Sequence, residues 1–422
     1  MSDTHPILPP SNKSLWSNRP FHRQWLMRQA NDLFDFFEGA SINSAGGFFE
    51  LDDNGHPLNP DNPVRAIHTT TRMIHCFALG SLLGRPGSDE IVDHGMRFLW
   101  ERHRDSTHGG YSWSLDNDGL KDSSKQAYGH AFVLLAASSA KLAGHPLADA
   151  VLADVTEIIN RRFWDDEVGA VRDEFGADWS QISTYRGQNS NMHMTEALMA
   201  AYEATGERAY LAKAERIAEL IIGKHASALD YRVAEHFTQD WVLDKEYLGS
   251  EMFRPSGTTP GHWMEWSRLL LQLWVLSDKR NSWMTDAARN LFRQAIELGW
   301  DKQHGGFYYT LDWDNQPAMR EKLWWPVSEA IGAAAFLSHY DRDLYFQAWY
   351  RSFWDFAANH LIDHERGGWR SELTEDLQPT SRLFVGKPDI YHALQACLIP
   401  LYPAIGSLSH AIIKTDETAA LT

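Results

Sequence analysis

The chain has 422 residues, 43% of them hydrophobic and 23% charged, an ordinary globular composition with material for a large core. A formal net charge of −17 repels phosphate backbones and anionic lipid, so nucleic acid and membrane surfaces are excluded as expected partners. No apolar run approaches the roughly 20 residues needed to span a bilayer.

The first residues, MSDTHPILPPSNKSLW, lack a basic segment followed by an apolar run, so no secretory signal is expected. A period near 3.6 then predicts a helix over 19–38. It is followed by AGGFFELDDNGHP from Ala45, where Gly-Gly, an alternating apolar run and a turn-rich acidic end read as a short hairpin. Helices are predicted at 63–83 and 88–105, separated by GRPGSDE, and a second hairpin, HGGYSWSLDNDG, begins at His108. Helices at 125–143 and 147–163, split by AGHPLAD, lead to a degenerate third hairpin, VGAVRDEFGADW, from Val168. Helices at 191–205 and 208–224 precede DYRVAEHFTQDW from Asp230, which has lost the glycines. Helices at 261–277 and 282–299 precede HGGFYYTLDWDN from His304; helices at 326–339 and 341–361 precede RGGWRSELTEDLQP from Arg366. A last helix is predicted at 389–400, with Pro326 starting the tenth where a missing N–H costs little.

The hairpins recur about 60 residues apart, apart from one interval nearer 75, a period that marks a repeat architecture. One helix, then hairpin-separated pairs, then one helix is the order of a closed ring, because closure seats the twelfth helix beside the first and leaves no raw apolar end. The fold expected is all-α, an (α/α)6 barrel of twelve helices with hairpins at one end. It is read as a single domain over 1–422, with its core at about 15–403 and a loose tail at 404–422. Cys76 and Cys397 lie in apolar stretches and are read as buried free thiols, which fits a reducing compartment and a cytoplasmic protein.

Every even helix follows a hairpin, so all six should begin at one end and converge on one cavity. Their first turns carry unusual polar residues: His68 and Arg72; Gln126, Tyr128 and His130; Asn191, His193 and Glu196; His262 and Glu265; Trp325 and Glu329; Tyr391 and His392. Deeper along the same helices the sequence is apolar, as in RLLLQLWVL and EAIGAAAFL. A functional pocket at the hairpin end is the reading adopted, against the alternative of a ring of polar helix caps. His193/Glu196 and His262/Glu265 are spaced i, i+3, which places imidazole and carboxylate on one face, as a proton-transfer pair requires. A surface salt bridge or a pair of metal ligands would show the same spacing. Trp113, Trp313, Trp324 and Trp325 are candidates to stack on a sugar ring, or else to fill space between helices.

These stretches, in this order and spacing, resemble the N-acylglucosamine 2-epimerase superfamily: TTTRMIH, GRPG…VDHG, DSSKQAYGH, YRGQNSNMH, YRVAEHF, GTTPGHWMEW, WWPVSEA and GKPDIYH. The resemblance spans roughly residues 20–403 and is closest to the aldose–ketose isomerase branch of mannose and sulfoquinovose isomerases. It implies a monosaccharide substrate, no cofactor and no metal, and histidine acid–base chemistry. Family roles fall on Arg72, His193, His262 and His392, with Glu265 and Glu329 lining the site. His68 ahead of TTTR and a single Arg254 in SEMFRPSG point away from a sulfonated sugar and toward mannose–fructose interconversion, with lyxose–xylulose as a side activity. The expected mechanism opens the ring with His392 and moves the C2 proton with His262 backed by Glu265. His68, Asn191, Tyr128, Trp325, Glu329, Arg254 and Tyr391 are expected to join Arg72 in binding substrate. A 2-epimerase, an inverting glycosidase using Glu265 and Glu329, and a non-catalytic binding toroid are the alternatives. A monomer or weak homo-oligomer is expected.

Overall fold

The computed structural model describes residues 15–341 and 343–419. The stretch on which the absence of a secretory signal was read therefore lies, but for Leu15 and Trp16, outside the described residues.

The helices are α1 (Pro20–Ser41), α2 (Ile67–Leu82), α3 (Ser88–Phe98), α4 (Ala127–Leu142), α5 (Ala148–Ile158), α6 (Gln188–Thr205), α7 (Arg208–Ala218), α8 (Pro260–Leu276), α9 (Trp283–Gln294), α10 (Trp324–Tyr340), α11 (Leu344–Phe356), α12 (Tyr391–Leu398) and α13 (Leu408–Ala419). The even helices α2 to α12 form the inner ring of an (α/α)6 barrel, each packed on its even neighbours, and α12 closes the ring against α2. They are buried all round, as for α10, where Trp324 to Ala334 is an unbroken buried run. The outer helices are amphipathic: α3 buries Ile91, Val92, Met96 and Phe98 while Asp89, Glu90 and Arg97 face outward. Five of them, α3, α5, α7, α9 and α11, run into a π-helical turn (99–103, 159–163, 219–226, 295–299 and 357–361).

Closure is also visible in the hairpins. The residues entering each inner helix pair antiparallel with the next hairpin: Arg65 with Leu115, Lys125 with Phe175, Arg186 with Phe237, Thr258 with Leu311 and Lys322 with Leu373. Lys387 then pairs with Leu51 of the first hairpin and completes the circle. Three of these entering residues, Lys125, Lys322 and Lys387, are buried and reach Asp105, Asp301 and Asp363 at 2.8, 2.9 and 3.0 Å. Each aspartate sits four residues ahead of a Gly-Gly pair and accepts backbone N–H groups of its own turn. The Gly-Gly pairs are needed twice over. At Gly305 and Gly306 φ is +83° and +75°, and a Cβ on Gly306 would lie 2.7 Å from the Phe356 ring. In the fourth hairpin Asp230 and Tyr231 adopt the left-handed conformation instead, at φ +52° and +60°.

The tail is not loose. Leu408, Ala411 and Ile412 of α13 are buried, and α13 packs on α2, α4 and α6 near their C-terminal ends. Gln272 Nε2 donates to the Gly406 carbonyl at 2.9 Å, and the Ser407 N–H to Glu203 at 2.9 Å. The segment stoppers the end of the barrel opposite the hairpins. A near-polar tail without hairpin signals hid this, because its apolar contacts are few and spaced on one helical face.

Candidate active site

In four inner helices the first N–H is taken by a hairpin carbonyl: Ile67 by Trp113, Ala127 by Asp173, Gln188 by Glu235 and Trp324 by Ser371. The N-cap residue of no even helix caps it with its own side chain, and only in α12 does a neighbouring side chain, Asp389, accept the first N–H, that of Tyr391 at 2.9 Å. The polar side chains of the first turns are therefore free for other work, and the helix-cap reading is not what they do. They meet in a cavity to which every inner helix contributes: Arg72, Tyr128, His193, His262 with Glu265, Trp325 and His392.

His262 Nδ1 lies 2.9 and 3.0 Å from the two oxygens of Glu235, a carboxylate carried by the fourth hairpin. Trp266 Nε1–H donates to Gln188 Oε1 at 2.8 Å, which turns the Gln188 amide nitrogen onto Glu235 Oε2 at 2.9 Å. Burial alone would raise the Glu235 carboxyl, but His262 outweighs it and holds the group below its ordinary range. An ionised Glu235 accepts Nδ1–H, so Nε2 of His262 is left as the base facing the cavity. Glu265, expected to back His262, does not. The i, i+3 spacing shares a helix face, but the imidazole turns outward to the hairpin while Glu265 lies on the cavity floor.

A second pair is built on the other side. His392 Nδ1 is 2.8 Å from Glu329 Oε1, and Glu329 Oε2 accepts from Arg268 Nε and Nη2 at 3.0 and 2.8 Å. Arg268 and His392 overcome the burial of Glu329 and keep it ionised. Trp325 leans on both imidazoles, its ring centroid 4.9 Å from His262 and 5.9 Å from His392.

On the floor, His193 Nδ1 is 3.8 Å from Glu196 and 3.7 Å from Glu265. Burial pushes the imidazole down to about 4, more than Glu196 restores, so it is neutral. His193, Glu196 and Glu265 bring ligand atoms within 4.8 Å of one another, a spacing that invites a cation. The Arg268 guanidinium already supplies one, 3.4 Å from Glu196 and 3.7 Å from Glu265. At the wall, Arg72 donates to Asp389 at 2.6 Å and to the Tyr128 hydroxyl at 2.8 Å, with its guanidinium 4.5 Å from the Phe132 ring. Burial pushes the Tyr128 phenol up to about 12 although Arg72 opposes it.

Other sequence candidates lie elsewhere. Asn191 spends its amide on Val171 and Gly187 backbone and anchors the third hairpin; Asn189, not singled out, lines the cavity instead. His130 bridges the Tyr111 N–H and the Gln126 carbonyl. Tyr391 sits beneath the cavity with its hydroxyl on Glu196. Glu329 acts through His392 and does not line the cavity. His68 is stacked 5.2 Å from Trp113, with its Nδ1 buried and unpartnered. Arg254 lines an outer vestibule with Trp113 and Gln126, where Glu174 holds it bidentately at 2.9 and 3.2 Å. Trp324 joins the inner cavity, whereas Trp313 lines neither space and lies beside Lys245. The groups the sequence reading passed over are Glu235, Gln188, Arg268 and Asp389. Glu235, Gln188 and Asp389 stand inside quoted motifs, YRVAEHF, YRGQNSNMH and GKPDIYH, and only three-dimensional pairing distinguishes them.

Known proteins share the fold of this chain. The model of the N-acylglucosamine 2-epimerase (GlcNAc 2-epimerase) family matches residues 46–396. A D-mannose isomerase of Pseudomonas cannabina pv. alisalensis is 43% identical, over 96% of this chain and 98% of the relative. One from Thermobifida fusca is 42% identical over 94% and 99%. A crystal structure of a D-mannose isomerase superposes with a TM-score of 0.84 at 32% identity, covering 92% of this chain and 99% of that one.

Proposed function

The chain belongs to the N-acylglucosamine 2-epimerase family, within which it is an aldose–ketose isomerase, and we propose that it interconverts D-mannose and D-fructose. The observation that carries this reading is the pair of buried His–Glu dyads, His262–Glu235 and His392–Glu329, set on one tryptophan at one cavity. Two imidazoles fixed in this way supply one group to open the hemiacetal and a second to carry a proton between adjacent carbons. Relatives named for D-mannose cover nearly the whole chain.

His392 takes the O1 proton and returns one to the ring oxygen, giving the open aldehyde. His262, its Nε2 free, removes the C2 proton and delivers it to C1 through a cis-enediol. Arg72 and neutral His193 hold the hydroxyls and stabilise charge at O1 and O2, aided by inner-helix N-termini worth about 0.3–1 kcal/mol each. Trp325 provides the flat wall for the sugar face. D-Lyxose presents the same C2 and C3 configuration and is expected to give xylulose. Sugars with an anionic 6-substituent are disfavoured, because Arg254, the cation lining the vestibule, is taken up by Glu174. Hydrolysis by Glu265 and Glu329 is disfavoured too, since Glu329 is committed to Arg268 and His392. The free, buried Cys76 and Cys397 suit a reducing compartment, in keeping with a cytoplasmic enzyme. Among the described residues no helix is long and apolar enough to cross a membrane.

Incubation of EDTA-treated protein with mannose, lyxose and glucose in deuterated water tests the reading. Fructose from mannose with deuterium at C1 supports it; glucose from mannose would mark a 2-epimerase instead. Full turnover by His262→Ala would remove His262 from the reaction.

A further inference from the structure

Three buried carboxylates, Glu196, Glu265 and Glu329, surround the single guanidinium of Arg268 at the cavity floor. Their partners are unequally shared. Glu329 receives two hydrogen bonds from Arg268 and one from His392. Glu196 receives the Tyr391 hydroxyl and the remaining Arg268 nitrogen, at 3.4 Å. Glu265 receives nothing equivalent. Its Oε1 is buried with no hydrogen-bond partner, and the nearest nitrogens, Arg268 Nη2 and the neutral His193 Nδ1, stand 3.7 Å away, beyond hydrogen-bond reach. It is 1% exposed, yet it lines the cavity. An ionised carboxylate buried without a donor is expensive, and the group neutralises rather than bear that cost. The groups facing it from the packed elements are Arg72 on α2, Glu196 and His193 on α6, Arg268 on α8 and Glu329 on α10. Arg72 is already paired with Asp389, and Arg268 alone does not offset three negative charges.

We propose that Glu265 is held as a neutral carboxylic acid and is a further catalytic residue of the isomerisation, shuttling a proton between O1 and O2 of the sugar. The inference rests on the isomerase reading above and adds a role that reading leaves unfilled. In the first half-reaction His262 takes the C2 proton while Glu265 gives its proton to the aldehyde oxygen O1, and the electron pair of the C–H bond becomes the C1–C2 double bond of the enediol. In the second, the Glu265 carboxylate takes the O2 proton as the carbonyl forms at C2, and protonated His262 delivers its proton to C1. Both groups return to their starting states, so the cycle balances without a co-reactant. Burial, with Glu329 and Glu196 adding to it, raises the Glu265 carboxyl well above its ordinary range, in agreement. The enediol's two oxygens share one edge, so a single carboxyl can serve both.

The test pairs infrared spectroscopy with kinetics on the whole protein. A difference spectrum of wild type minus Glu265→Gln near neutral pH is expected to show one protonated-carboxyl C=O band that moves down in deuterated water. Glu265→Gln keeps the neutral shape and a hydrogen-bond donor but has no acidic proton to transfer, so kcat for mannose is expected to fall ~10²–10⁴-fold with KM changed little. Glu265→Asp, which retains an acid, should recover part of kcat. A difference spectrum with only ionised-carboxylate bands overturns the proposal, as does a Glu265→Gln variant that keeps wild-type kcat. If the wild-type protein isomerises no sugar, the function assigned above fails, while the infrared result still reports whether Glu265 holds its proton.

Discussion

The Nδ1 atom of His262 is bound 2.9 Å from the carboxylate of Glu235, which lies 27 residues earlier on a hairpin and not on the histidine's own helix. The contact fixes the tautomer that leaves Nε2 basic, and it is buried on both sides. Glu235→Ala and Glu235→Gln should both fold. Each is expected to lower kcat by roughly 10²–10⁴-fold with a small effect on KM, by analogy with the loss of the orienting carboxylate in other catalytic imidazole systems. Steady-state kinetics on mannose would check this; an unchanged kcat would leave Glu235 a structural residue.

The same contact shows what could be read from the chain and what could not. The ring was legible because the Gly-Gly hairpins need left-handed backbone and an aromatic seat, as Gly306 has on Phe356, and these leave a spaced signature. The convergence of His193, His262 and His392 followed from counting even helices. The partners of those histidines did not, because a carboxylate at i+3 and a carboxylate across the ring are indistinguishable in one dimension. Glu265 was therefore given the role that Glu235 fills, and Glu329 was placed in the cavity when it works from behind His392. Asn191 was misplaced for a related reason. On one helical turn Asn189 and Asn191 point about 200° apart, and periodicity alone does not say which faces the axis.

Gly261 stands directly before His262, and a Cβ there would lie 2.5 Å from the Trp325 ring and 2.9 Å from Pro326. Gly261→Ala therefore displaces the indole that supports both imidazoles. It is expected to cost about 1–3 kcal/mol of stability by overpacking and to reduce kcat at least ~10-fold. Denaturant titration and kinetics on the same preparation separate the two effects. Wild-type values in both would show that the indole yields without consequence.

Arg72 is clamped between Asp389 at 2.6 Å and the Tyr128 hydroxyl, all buried. Asp389→Asn removes the charge that Arg72 is desolvated against. Breaking a buried pair in this way is expected to cost about 3–5 kcal/mol and to raise KM for mannose as the guanidinium loses its orientation. Unfolding curves with and without sugar would measure both. Equal stability of variant and wild type would mean that solvent reaches Arg72 and screens it.

Asp230 is exposed in the left-handed region at φ +52°, one residue ahead of the position where other hairpins place glycine. A non-glycine residue in this region costs roughly 1 kcal/mol. Asp230→Gly relieves that strain but gives the unfolded chain more freedom, so a net gain of up to about 1 kcal/mol is expected, with kcat unchanged. Thermal melts of the two proteins decide it, and a loss of stability would show that the aspartate is stabilised locally.

Glu203 supplies a pH dependence remote from the chemistry. Its side chain is 2% exposed beneath the C-terminal segment, it accepts the Ser407 N–H at 2.9 Å, and its Oε1 has no hydrogen-bond partner. His410 Nδ1 is 3.9 Å away, with its own imidazole held down by burial. Burial pushes the Glu203 carboxyl up to about 7, more than the Ser407 bonds lower it. In the unfolded chain the group releases its proton near pH 4.3, so between roughly pH 4.3 and 7 the folded state binds the extra proton. The stability this provides is complete below that window, declines as pH rises through it, and is gone above pH 7, at up to about 1.4 kcal/mol per pH unit. Depressed carboxylates such as Glu329 lose their contribution in the opposite direction, as pH falls. The comparison is therefore between wild type and Glu203→Gln, which mimics the protonated acid. Urea unfolding at pH 5 and pH 8 should show the variant losing less stability over that interval by about 2–3 kcal/mol. Equal losses in the two proteins would mean that Glu203 is ionised beneath α13 and that solvent reaches it there.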